Sequence, residues 1–180
     1  MILIVEGSNK VGKTTFINTL ASNLRNSGIE VEIFNGYATE ENKKEITKEV
    51  MYKFIRDDFI KAMKKMLDNI NKNYICIFDS CYLSEYVYGK ICRGYENENV
   101  MRFDNLIAQS PFVEQVFLMS NYNHITDNKA QLKYKQIQYE MLLKVMQCKS
   151  QFTVKFIEKE NDVYAMAASY STYIKKKLEA

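Results

Sequence analysis

The chain reads as an α/β fold, a parallel sheet wrapped by helices on both faces. Two observations predict it. Short apolar or alternating runs of strand length are separated by longer stretches with helical periodicity, and that alternation favours parallel strands joined by crossover helices. The first strand, moreover, runs into Gly7-Ser8-Asn9-Lys10-Val11-Gly12-Lys13-Thr14-Thr15, a P-loop of the form G-x-x-x-x-G-K-[ST] that belongs between a buried strand and a helix N-terminus.

The elements follow in order. Residues 1–5, Met-Ile-Leu-Ile-Val, are the continuous apolar run of a strand buried on both faces. Phe16, Ile17, Leu20, Ala21 and Leu24 recur at helical spacing, and Ser27-Gly28 supplies a stop. Residues 29–34 alternate as a second strand, ending at Asn35-Gly36. Ile46, Val50, Phe54, Met63, Met66, Leu67 and Ile70 mark residues 40–71 as helical, either two helices or one bent near Arg56-Asp57-Asp58. Residues 74–78 form a third strand ending in Asp79. A helix over 83–92 and a polar loop over 94–99 come next. The only proline, Pro111, introduces a fourth strand over 113–119. Ile137, Met141, Leu142 and Val145 stripe a helix over 129–148, residues 152–157 form a fifth strand, and Val163, Met166, Ala167, Tyr170 and Ile174 stripe a closing helix. No linker, repeat or low-complexity segment interrupts the 180 residues, which predicts one domain.

Composition narrows the function classes. The net charge is +3, and the 25 basic residues divide 13 to 12 between the halves. No basic arm stands out, so the charge pattern does not indicate DNA. Four cysteines without C-x-x-C spacing and a single histidine, His124, argue against zinc and for free thiols in a reducing cytoplasm. No apolar run approaches 18 residues, so no signal peptide or membrane span is expected.

The loop's chemistry is legible. Its glycines let the backbone N–H groups turn inward as a nest for phosphate oxygens. Lys13 can reach the outer phosphates, Thr14 can ligate Mg²⁺, and the following helix adds its positive N-terminal end. In an open parallel sheet ligands sit at the carboxyl ends of the strands, where Gly7 and Asp79 both fall. A guanine-reading N-K-x-D is absent, since Asn128-Lys129-Ala130 continues with Gln131.

Two segments resemble the thymidylate kinase and deoxynucleoside kinase branch of P-loop kinases. Glu6-Gly7-Ser8-Asn9-Lys10-Val11-Gly12-Lys13-Thr14-Thr15 is similar to that family's E-G-x-D-x-x-G-K-[ST]-T opening. Asp79-Ser80-Cys81-Tyr82-Leu83-Ser84-Glu85-Tyr86-Val87-Tyr88-Gly89 is similar to its D-R-x-Y-x-S-x-x-x-Y-G segment, particularly in phage-type members. The resemblance implies a five-stranded parallel sheet of order 2-3-1-4-5 and transfer of the γ-phosphoryl of ATP, with Mg²⁺, to a nucleotide or nucleoside acceptor. It also implies a homodimer. Asp79 would bind the metal's water shell, or accept a proton from an acceptor hydroxyl.

The departures are as informative. Ser80 stands where the family has an arginine, and Asn9 where it has an aspartate. The lid segment 121–130 carries no arginine, and none follows Arg102. Lys10 lies where some thymidylate kinases place a basic residue inside the loop. It could serve the transferring phosphoryl in place of lid arginines, or it could be an exposed loop lysine. Acceptor phosphate then falls to Arg93 and Arg56. Tyr82, Tyr86 and Tyr88 could stack on a base or pack the core, and Glu85 could accept hydrogen bonds from the acceptor or be a solvated charge. The reading that results is a kinase for a deoxynucleoside monophosphate, with a thymidylate-like pyrimidine nucleotide first. Three alternatives stand beside it: a deoxynucleoside kinase, a kinase acting on hydroxymethylpyrimidine in DNA, and a nucleotide-binding sensor without kinase activity.

Overall fold

A computed structural model describes residues 1–35, 47–69 and 73–179. Gly36, Ile46 and Ile70, used above to place a strand end and a helix, lie outside the described residues.

The central strand, β1 (Ile2–Glu6), is buried at every position. It pairs in parallel with β3 (Tyr74–Asp79) on one side and β4 (Val113–Ser120) on the other. The edges are β2 (Glu30–Asn35) and β5 (Thr153–Ile157), giving the order β2-β3-β1-β4-β5. The resemblance implied this order, and the sheet has it.

Strand alternation divides the apolar residues between two cores. Ile2 and Ile4 point into one, with Phe78 and Phe117, where they meet α2 (Lys48–Asp68), α3 (Tyr82–Tyr88), α4 (Arg102–Ala108) and α5 (Asn128–Val145). Leu3, Val5, Ile75, Ile77 and Leu118 point into the other, covered by α1 (Lys13–Arg25) and α6 (Glu160–Glu179). No described helix is long and apolar enough to cross a membrane.

Three local expectations change. The described part of region 40–71 is one α-helix, Lys48–Asp68, unbroken at Arg56-Asp57-Asp58 and begun by Thr47, whose hydroxyl accepts from the Val50 amide. The helix expected over 83–92 is α only to Tyr88 and then widens into a π turn, Gly89–Arg93. The stretch before Pro111 is structured: a 3₁₀ turn, Glu98–Met101, leads into α4, which buries Phe103 and Ile107.

Candidate functional site

The loop between β1 and α1 is shaped by close approach. Gly7 has φ +148°, and a Cβ there would lie 2.7 Å from the Leu118 carbonyl oxygen of β4. Gly12, with φ +101°, starts α1. Three non-glycine residues among those described adopt positive φ: Lys10 (64°), Ser80 (69°) and Tyr122 (60°). Lys10 lies on the loop, Ser80 directly follows Asp79, and Tyr122 touches Ser8. Left-handed backbone costs a side-chain-bearing residue on the order of 1 kcal/mol, and such positions gather at functional sites.

Lys13 is buried, its ammonium donating to the carbonyls of Gly7 at 2.8 Å and Ser8 at 3.2 Å. Burial pushes its pKa down, while the charges of Asp79 and Glu6 hold it up. Thr14 Oγ1 donates to Asp79 Oδ2 at 3.4 Å across the loop's mouth. A hydroxyl and a carboxylate side by side are hard oxygen donors, the set that suits Mg²⁺. These groups, with Asn9, Lys10 and Tyr134 of α5, line a cleft of about 580 Å³. A second cavity of about 270 Å³ lies on the loop's other flank, between Lys10, Val11, His124, Ile157 and Val163.

Beneath the cleft sits Glu6, fully buried at the end of β1. Its Oε1 accepts from the amides of Cys81 (3.0 Å) and Leu83 (3.2 Å), and its Oε2 from the Ser84 hydroxyl. The carboxylate thus caps α3 from another strand. The Ser80 amide, donating to Val5 O at 2.9 Å, completes the tie that sets Asp79 at the mouth. Desolvation raises the Glu6 pKa to about 7, although these hydrogen bonds and Lys13 favour the ionised form.

The loop residues Gly7 to Thr15 and Asp79 come together at one end of the sheet. The remaining expected residues do not line the cleft. Tyr82 is fully buried and its hydroxyl meets Asp104 and Ser150, so its ring has no face for a base. Tyr88 is buried too, its hydroxyl accepting from the Asn9 amide at 2.7 Å. Glu85 is no solvated charge: it is buried, with Arg93, Tyr95 (3.0 Å) and Asn97 (3.2 Å) donating to its oxygens. Arg93 is only 2% exposed in this ion pair and also donates from Nε to Tyr95 at 2.9 Å. Arg56 lies on the exposed face of α2, paired at 2.8 Å with its neighbour Asp57. Tyr122, His124 and Tyr134, which belong to no local sequence pattern, touch the loop or line the cleft from the β4–α5 side. A lone histidine in the lid segment was the one available signal.

A strand, a phosphate-type loop and a helix on a 2-3-1-4-5 sheet, with a hydroxyl and a carboxylate at the loop's mouth, define the class: the fold is that of P-loop kinases. Within it, residues 1–98 match the family described as chromatin associated protein KTI12, and the chain belongs to that family. Comparison with curated proteins returns no match. Among solved structures, the chain is similar to the YorR protein of Bacillus subtilis, determined in complex with phosphorylated GDP, at TM-score 0.65 and 16% identity, with 98% of this chain and 97% of that one covered. It is similar to thymidylate kinase from Ehrlichia chaffeensis at TM-score 0.64 and 16% identity, covering 94% and 97%. At such identity the likeness is one of fold.

Proposed function

We propose that the protein is an ATP- and Mg²⁺-dependent P-loop kinase that phosphorylates a deoxynucleoside monophosphate, a thymidylate-like pyrimidine nucleotide first. One observation carries the kinase part of the reading, the acceptor resting on the resemblance: Thr14 Oγ1 and Asp79 Oδ2 face each other at 3.4 Å, at the mouth of the loop that holds the Lys13 ammonium. Phosphoryl transfer asks chiefly for positioning and for neutralised charge. The loop amides and Lys13 hold the donor phosphates, and Thr14 and Asp79 hold the metal. Bound Mg²⁺ supplies positive charge against the phosphate oxygens. Lys10, exposed on the cleft's rim, adds a cation on the side where lid arginines are missing. The cavity beside Val11 and Val163 takes the donor base.

The buried Arg93–Glu85 pair favours a second reading, a free deoxynucleoside acceptor. With that guanidinium committed and Ser80 in the family's arginine position, a hydroxyl acceptor needs fewer cations, and Asp79 becomes the base that takes its proton.

Labelled ATP and Mg²⁺ incubated with deoxynucleosides, their monophosphates, and plain or hydroxymethylated DNA separate the readings, with Lys13→Ala as control. Label on a monophosphate supports the first, and label on nucleosides alone supports the second. Label only on DNA, or ATP binding with no transfer, sinks both. Asp79→Asn is expected to lower turnover by about a hundredfold or more.

A further inference from the structure

Three consecutive residues at the crown of the loop are each held from outside it. Ser8 Oγ shares a hydrogen bond with the Tyr122 hydroxyl, the Asn9 amide donates to Tyr88 of α3 at 2.7 Å, and the Lys10 carbonyl lies 3.1 Å from Nε2 of His124. Ser8 and Lys10 are thus tied to the segment between β4 and α5, and Asn9 to α3. That segment is itself fixed. The Gln131 side-chain amide donates to Tyr122 O at 2.9 Å, and the Tyr122 amide donates to Ser120 Oγ at 3.2 Å. His124 leans on the Tyr122 ring, centroids 6.1 Å apart.

A carbonyl oxygen only accepts, so the His124 nitrogen facing Lys10 must carry its proton. The bond lands on the one loop residue that combines left-handed backbone with a flexible cation, and Lys10 borders both cavities. That bond restrains the peptide that follows Lys10, next to the residue's left-handed φ of +64°. We propose that His124 is a positioning residue for Lys10: it holds the Lys10 carbonyl, fixes the loop's crown, and so directs the ammonium over the cleft. In this chain the segment between β4 and α5 contributes geometry through His124, and the loop contributes charge through Lys10. The proposal rests on the reading of residues 7–15 as a nucleotide phosphate loop, and does not depend on which acceptor is used.

The test is a double-mutant cycle read by calorimetric ATP affinity in the presence of Mg²⁺. His124 is exposed, so His124→Ala is expected to leave the melting temperature nearly unchanged. It should weaken ATP about three- to tenfold, the range of one lost hydrogen bond. His124→Gln, which keeps an N–H donor, should restore most of that loss. If His124 acts through Lys10, adding His124→Ala to Lys10→Ala should cost almost nothing further. Additive losses, or an unchanged affinity in His124→Ala, overturn the proposal. Because His124 is the only histidine, ¹⁵N NMR reads its ring directly; an unprotonated Nε2 in the native protein also overturns it. A wild type that binds ATP yet phosphorylates no acceptor refutes the kinase reading and leaves the cycle fully informative. A wild type that does not bind ATP refutes the loop reading and the positioning role together.

Discussion

Glu6 works at the scale of a single residue by taking three donors at the start of α3 while sealed from water. Burial favours its neutral form, so its pKa rises from an ordinary 4.5 to about 7 in the folded chain. The folded value lies above the unfolded one, so this contribution to stability is complete below the unfolded pKa and is lost as pH climbs through the folded one. A shift of that size corresponds to about 3 kcal/mol. Urea unfolding at pH 5 and pH 8 should show the wild type losing a component of this order that Glu6→Gln does not lose. Equal pH dependence in the two proteins would contradict it. Gly7, Lys13, Thr14 and Asp79 were readable from the sequence because each belongs to a local pattern. The partners of Ser8, Asn9 and Lys10 were not, since those bonds join residues 114, 79 and 114 positions apart. No spacing rule reaches across such distances.

Among the elements, α3 with its π turn departs furthest from its sequence reading. Glu85 and Arg93, eight positions apart, close on each other across the turn and draw in Tyr95 and Asn97. Gly89 permits this, because a Cβ there would lie 2.9 Å from Tyr95 Cε2 and 3.0 Å from its carbonyl oxygen. Removing one member of a buried ion pair strands the other charge, which typically costs 3–5 kcal/mol, roughly, whereas an apolar replacement of both is far milder. Glu85→Gln and Arg93→Met should each lower the urea midpoint strongly, and Glu85→Leu with Arg93→Met should recover most of the loss. Additive losses would mean that the pair is not the fastener it resembles. Helical periodicity carried the expected helix past Tyr88 because it cannot distinguish α from π winding over a single turn. It overlooked α4 because Phe103 and Ile107 alone make too short a stripe in seven residues. The long stripes of α1, α5 and α6 were legible because each gives its core several turns of contact.

For the whole molecule, strand alternation and the glycine loop made the α/β class plain, while the strand order came with the family resemblance. Two cores on opposite faces of one sheet meet at β1, and the loop grows from its end. Ligand binding there should stabilise the entire fold: at a hundred times its Kd, ATP with Mg²⁺ contributes about 2.7 kcal/mol. That corresponds to a melting temperature higher by roughly 5–10 °C for a chain of this length. Calorimetric melting should show this rise in the wild type and none in Lys13→Ala. Cys81 adds a clock to the same construction. Its thiol is buried at the foot of α3, where burial holds its pKa well above the usual thiol range. A closed native site therefore gives an alkylating reagent almost no thiolate to attack. Modification of Cys81 then requires the foot of α3 to open, so a ligand that braces the loop should slow it.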